Sequence, residues 1–230
     1  MAHVLRFILM ILASSVCASE RDAPAPPVAA QHPALSTAPT RSFTYAGIPG
    51  DPLNIAFIGS EDDLLRTMAA AHWLPADPIT FRSSLRITVD SIVRRAYADA
   101  PVSSLFVNGN KQDLAFEQPA TSNPSKRHHV RFWRMQPLDN LGRPLWFGAA
   151  TFDERIGLSH VNRHVTHHIA ANIDDERAKL LDDLQGVGGL TIGWIEDFQP
   201  QREGHNGGGD PFHTDGRLAV VAVAAPAQSR

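Results

Sequence analysis

Between Ser104 and Phe152 the chain passes through four strand-length stretches set apart by short turn signals, which commits the middle of the molecule to an antiparallel sheet. Ser104–Val107 and Asp113–Glu117 flank Asn108-Gly109-Asn110-Lys111. Asn-Gly supplies the two positive-φ residues of a tight hairpin turn. His129–Met135 and Pro144–Phe152 follow, joined through Asp139-Asn140-Leu141-Gly142. Leu53–Gly59, Val165–Ile169, Leu190–Phe198 and Arg217–Val223 read as further strands. Helical patterns interrupt this series. One begins after the cap Ser60, with Leu64, Leu65 and Met68 on its apolar face. A second starts near Ser83 or Ser84 and carries Leu85, Val89, Ile92 and Val93 on one side. A third covers Asp174–Leu184, acidic in its first turn, with Leu180, Leu181 and Leu184 inward and Gly186 at its end. The expected fold is α+β: a single domain with a mostly antiparallel mixed sheet and about three flanking helices. Trp146 and Trp194 are expected in its core.

The chain has 230 residues, 43% of them hydrophobic, enough for one sizeable core. A net charge of −3 argues against a nucleic-acid scaffold. Arg6 precedes an apolar run, Phe7–Ala13, and small residues follow to Ala18, the pattern of an export signal over residues 1–18. The run is shorter than the roughly 20 residues of a spanning helix, so no transmembrane span is expected once the signal is removed. Cleavage would remove Cys17, the only cysteine, and leave a mature chain without disulfides. Residues 19–42 are rich in Pro and Ala and lack an apolar face, so they read as a disordered linker to a folded domain over 43–224. The expected location is periplasmic or secreted.

Six of the eleven histidines fall between His128 and His168. His128 and His129 open a strand, so they point to opposite faces and cannot share an ion. His129, Arg131 and Trp133 take one face, and His128, Val130 and Phe132 the other. On a strand, His164 and His168 share a face but stand roughly 13 Å apart, too far for metal–nitrogen bonds of about 2 Å. A helix would instead align His160, His164, His167 and His168, with His164 and His168 at zinc-pair spacing, but Val161, Val165, Thr166 and Ile169 favour a strand. A metal site drawn from His129, His164 and His168 therefore needs meetings across strands, with a carboxylate such as Asp153, Glu154 or Asp197. The bland alternative is sheet histidines bonded to neighbouring strands. No cofactor is expected, and zinc or another divalent metal is the alternative.

Four stretches, in this order and spacing, resemble the LssY C-terminal domain family. They are Asp113-Leu114-Ala115-Phe116-Glu117-Gln118-Pro119, Lys126-Arg127-His128-His129-Val130-Arg131-Phe132-Trp133, Arg143-Pro144-Leu145-Trp146-Phe147-Gly148-Ala149-Ala150-Thr151-Phe152-Asp153 and Val165-Thr166-His167-His168-Ile169. The opening Asp51-Pro52-Leu53-Asn54 with Trp73-Leu74-Pro75-Ala76-Asp77 fits as well, and the resemblance covers roughly residues 45–200. It implies a context rather than a reaction. The family takes its name from a protein linked to a bacterial type I secretion gene cluster, and it supplies no catalytic set. In longer members the domain follows membrane-embedded parts, including lipid-phosphatase-like ones, which this sequence lacks.

Established catalytic patterns do not fit the residues. Arg127-His128-His129 has histidine where a histidine phosphatase needs glycine. His164-Val165-Thr166 is a single His-x-Thr where a two-histidine phosphoesterase needs two. No Gly-x-Ser-x-Gly elbow occurs. Gly204–Gly209 lacks the Gly-Lys-Ser/Thr ending of a phosphate loop and reads as a flexible hairpin loop. The expected role is binding of an envelope or secretion-system partner, or of an anionic ligand, through Arg127, His128, His129, Arg131, His164, His167 and His168. The alternative is a metal-assisted or acid–base hydrolase whose candidates are His129, Arg131 and His168.

Overall fold

The structure, a computed structural model, describes residues 32–76, 104–120, 126–161 and 165–224. The expected export signal, the helix expected near Ser83 and His164 lie outside the described residues. Strands β1 (Arg41–Phe43), β2 (Pro49–Pro52) and β3 (Ile55–Ile58) precede helix α1 (Glu61–Ala70) and β4 (Leu74–Pro75). Then come β5 (Phe106–Val107), β6 (Asn110–Lys111), β7 (Leu114–Pro119), β8 (Arg127–Met135), β9 (Leu145–Leu158) and β10 (Val165–Ile169). Helix α2 (Ile173–Gln185) leads to β11 (Leu190–Ile195), the hairpin strands β12 (Glu203–His205) and β13 (Pro211–His213), and β14 (Leu218–Val223).

The main sheet has eight strands in the order β11-β14-β3-β9-β8-β7-β4, with β10 paired to the far part of β9. The β14–β3 pair is parallel and the other pairs are antiparallel, so the expected mixed, mostly antiparallel sheet is present. A four-stranded sheet, β2-β1-β5-β6, packs on it. Both helices form for the reasons the sequence offered. Ser60 and Asp63 make a reciprocal capping box at the start of α1, and Leu64, Leu65 and Met68 are buried. Asn172 caps α2 through the Asp174 amide, three acidic residues fill its first turn, and Leu180, Leu181 and Leu184 are buried.

Each face of the main sheet has its own core. Both helices pack on the face of Phe57, Phe116, Val130, Phe132 and Trp146. The opposite face joins Ala56, Trp133, Phe147 and Ala149 to Ala34, Leu105 and Val107. Burying one Phe or Leu side chain contributes about 1.5–3 kcal/mol relative to leaving it exposed, so these layers hold the fold.

Several expectations need correction. Of the three expected helices, the described residues hold two, and the fold among them is mostly strand. The folded part starts before residue 43: Pro33–Thr37 form a 3-10 helix capped by the buried His32, and Ala34 enters the second core. Proline at the start of that turn fixes φ and lowers the entropy of ordering it. The Asn108-Gly109 turn has φ of 50° and 79°, as a tight hairpin requires, yet it joins β5 to the two-residue β6. Asp113–Glu117 pairs instead with β8, because six residues of β7 find a full partner there. Trp194 is 36% exposed on the edge strand β11, between the guanidiniums of Arg177 and Arg217, rather than in the core.

Candidate functional site

Strand β8 divides its side chains as alternation requires. His128 faces the helices, where its Nδ1 meets Glu176 Oε2 at 2.7 Å and its ring packs beside Trp73 and Phe152. Arg127, His129, Arg131 and Trp133 take the other face and are buried. The expected binding set is therefore split by the sheet, with His128 across from the rest.

The two histidine groups meet at one end of this face. Arg127 pairs with Asp153 on β9, and Ile169 on β10 pairs with the same Asp153. The β9–β10 register slips between His168 and Ile169, so Glu154 is passed over. That bulge lets His167 reach Arg127 and Asp153. Arg127 donates to Glu117 at 3.0 Å, to Asp153 at 3.3 Å and to His167 Nε2 at 2.8 Å. An arginine only donates, so His167 Nε2 presents a lone pair and its proton sits on Nδ1, 3.2 Å from Asp153 Oδ2. His167 is neutral as placed. Burial, then the fields of Arg127 and Arg131, hold its pKa down to about 4. Burial raises Asp153 to about 6 against the pull of Arg131 and Arg127, and raises Glu117 as well.

Further along the face, Arg131 donates to Asp51 of β2 at 3.2 Å and so ties the small sheet to the main one. Beside it lies a row of buried polar atoms without partners among the described residues: both ring nitrogens of His129, Nε of Arg131, Nε1 of Trp133 and, on β9, Oγ1 of Thr151. Thr151 stands directly opposite His129. Burial, followed by the charges of Arg131 and Arg127, holds His129 well below its ordinary pKa, so the ring is neutral. An idle buried polar group costs about 1–3 kcal/mol, and such a row is unusual for a native core.

His168 points elsewhere. Its Nδ1 lies 2.5 Å from Asp210 Oδ1, and both residues are buried. Asp210 ends the glycine-rich loop, whose Asn206 accepts from the Gly208 and Asp210 amides and donates to Asp51. The loop is a hairpin turn, as expected, but it is anchored rather than free. His160 Nε2 lies 3.7 Å from Asp210 Oδ1. The ligating group found among the described residues is His160, His168 and Asp210, which includes the expected His168 but not His129. Of the proposed carboxylates, Asp153 joins the arginine network instead. Glu154 and Asp197 are exposed, with Asp197 held by Arg202. Sequence reasoning passed over Asp51, Glu117, Asn206 and Asp210. For Asp210 a signal existed: Asn206-Gly207-Gly208-Gly209-Asp210 can close an Asx turn on its own amides.

Neither the curated proteins nor the solved structures contain a significant match to the chain. The family model described as LssY C-terminus matches residues 35–218, from the 3-10 helix through the first residue of β14. That span holds the arginine network, the donor row and the His168–Asp210 pair. The chain belongs to the LssY C-terminus family.

Proposed function

We propose that this domain is an exported binding domain of the bacterial envelope, and that its ligand presents oxygen acceptors to the row on β8. The observation that carries the reading is the set of idle buried donors at His129, Arg131, Trp133 and Thr151. Arg and Trp ring or guanidinium N–H groups only donate, so a ligand oxygen satisfies them where an apolar group does not. The local charge refines the expected anionic ligand. Arg127 and Arg131 stand against Asp51, Glu117 and Asp153, which offset them. A carboxylate or amide oxygen suits that balance better than a phosphate dianion. An envelope or secretion-system protein is the partner class that the export signal and the family's context suggest.

One observation favours hydrolysis as a second reading: Asp153, raised to about 6, touches the neutral His167. Arg127 engages both, however, which suits a fixed scaffold better than groups that must exchange protons with a substrate. Titrating isotopically labelled protein with acetate, acetamide and inorganic phosphate separates the readings. Acetate and acetamide should shift the Trp133 indole and His129 ring signals, phosphate less, and Thr151→Val should weaken the response several-fold. If none of the three probes moves those signals, the binding reading fails. Ester hydrolysis lost in Asp153→Asn would put the second reading in its place.

A further inference from the structure

We propose that His160, His168 and Asp210 form a binding site for a divalent transition metal of the zinc class, separate from the donor row on β8. One ligand atom from each residue lies within 4.8 Å of the other two. Ligands about 2 Å from a tetrahedral ion stand roughly 3.3 Å apart. The separations from Asp210 Oδ1, 2.5 Å to His168 Nδ1 and 3.7 Å to His160 Nε2, bracket that value. An ion therefore fits once the rings adjust to it, taking the place of the proton between His168 and Asp210. Two imidazoles and a carboxylate are a borderline-soft donor set, which suits zinc over magnesium or calcium.

The surroundings are shaped to the two rings. A Cβ on Gly157 would lie 2.6 Å from His168 Nε2, and one on Gly209 would lie 2.7 Å from His160 Cβ. Gly209 also has φ of 85°, a conformation glycine adopts without strain. The His160 amide donates to the Gly208 carbonyl at 2.9 Å, which fixes His160 against the loop that carries Asp210. The second carboxylate oxygen of Asp210 accepts the Ile169 amide, so the group is oriented before any ion arrives. His160 is exposed while His168 and Asp210 are buried, leaving a fourth position toward solvent for water.

The test is metal analysis of the full chain purified without a histidine tag, with zinc competition and cobalt absorption as readouts. The expected result is one ion per chain, with cobalt giving tetrahedral absorption. Binding should be lost in His168→Ala, weakened at least tenfold in His160→Gln and in Gly157→Ala, and unchanged in His72→Asn, an exposed histidine elsewhere. The His160 side chain is 58% exposed, so His160→Gln leaves the fold intact and stands even where His168→Ala misfolds. Substoichiometric metal, or equal binding by the parent and His160→Gln, would overturn the proposal.

Discussion

At the scale of single residues, His167 states the site's chemistry most plainly. It accepts from Arg127 through Nε2 and faces Asp153 through Nδ1, which leaves no lone pair for another proton. Its pKa of about 4, against 6.5 unfolded, means the folded state resists protonation. The sign follows directly: this contribution is intact above pH 6.5 and is lost as pH falls toward 4. Asp153 works in the opposite sense, because its pKa of about 6 makes the charged form costly above that pH and relieves the cost below it. Nuclear magnetic resonance should show His167 as the Nδ1–H tautomer at pH 7, titrating near 4. His167→Gln should recover on the order of 1 kcal/mol of stability at pH 4.5 relative to its effect at pH 7.5, after allowance for screening. A midpoint near 6.5 would show the ring to be free of Arg127.

Among elements, β9 is the organiser. It pairs with β3, β8 and β10 along 14 residues, and so brings Arg127 and His167 to one carboxylate. Alternation along β8 was legible from its sequence, since period two follows from the pleat and needs no partner. The bulge at Glu154 was not, because register depends on which strand arrives, and nothing local in Asp153-Glu154-Arg155 marks it. Likewise Asn108-Gly109 announced a turn but not that β7 would leave it for β8. Asn54 joins three elements from just before β3: its side chain donates to Ala150 and Ile173 carbonyls and accepts the Ala150 amide. Asn54→Leu should lower the unfolding free energy by about 2–4 kcal/mol in urea, since it strands those backbone groups in a buried site. A loss below 0.5 kcal/mol would mean that α2 docks on β9 without it.

Across the whole molecule, two packed faces carry stability, and one of them also carries a polar row that stability does not explain. The helix-side core is apolar, with His128 and Glu176 paired at its rim. The other face sets Arg127, Arg131 and three carboxylates next to His129, whose ring has no partner among the described residues. Sites kept for binding commonly hold such destabilising groups. The cluster of histidines pointed to this region, but Asp51 and Asp210 arrive from a distant strand and loop, where no spacing rule reaches them, and Glu117 enters only through the pairing of β7 with β8. The most direct measurement is the unfolding free energy of His129→Leu beside that of the parent chain. Leucine of similar volume relieves two idle nitrogens, so the expected result is equal stability or a gain of about 1 kcal/mol, together with loss of the acetate response. A loss of more than about 2 kcal/mol would contradict it, by showing that the buried ring has a structural role in the fold.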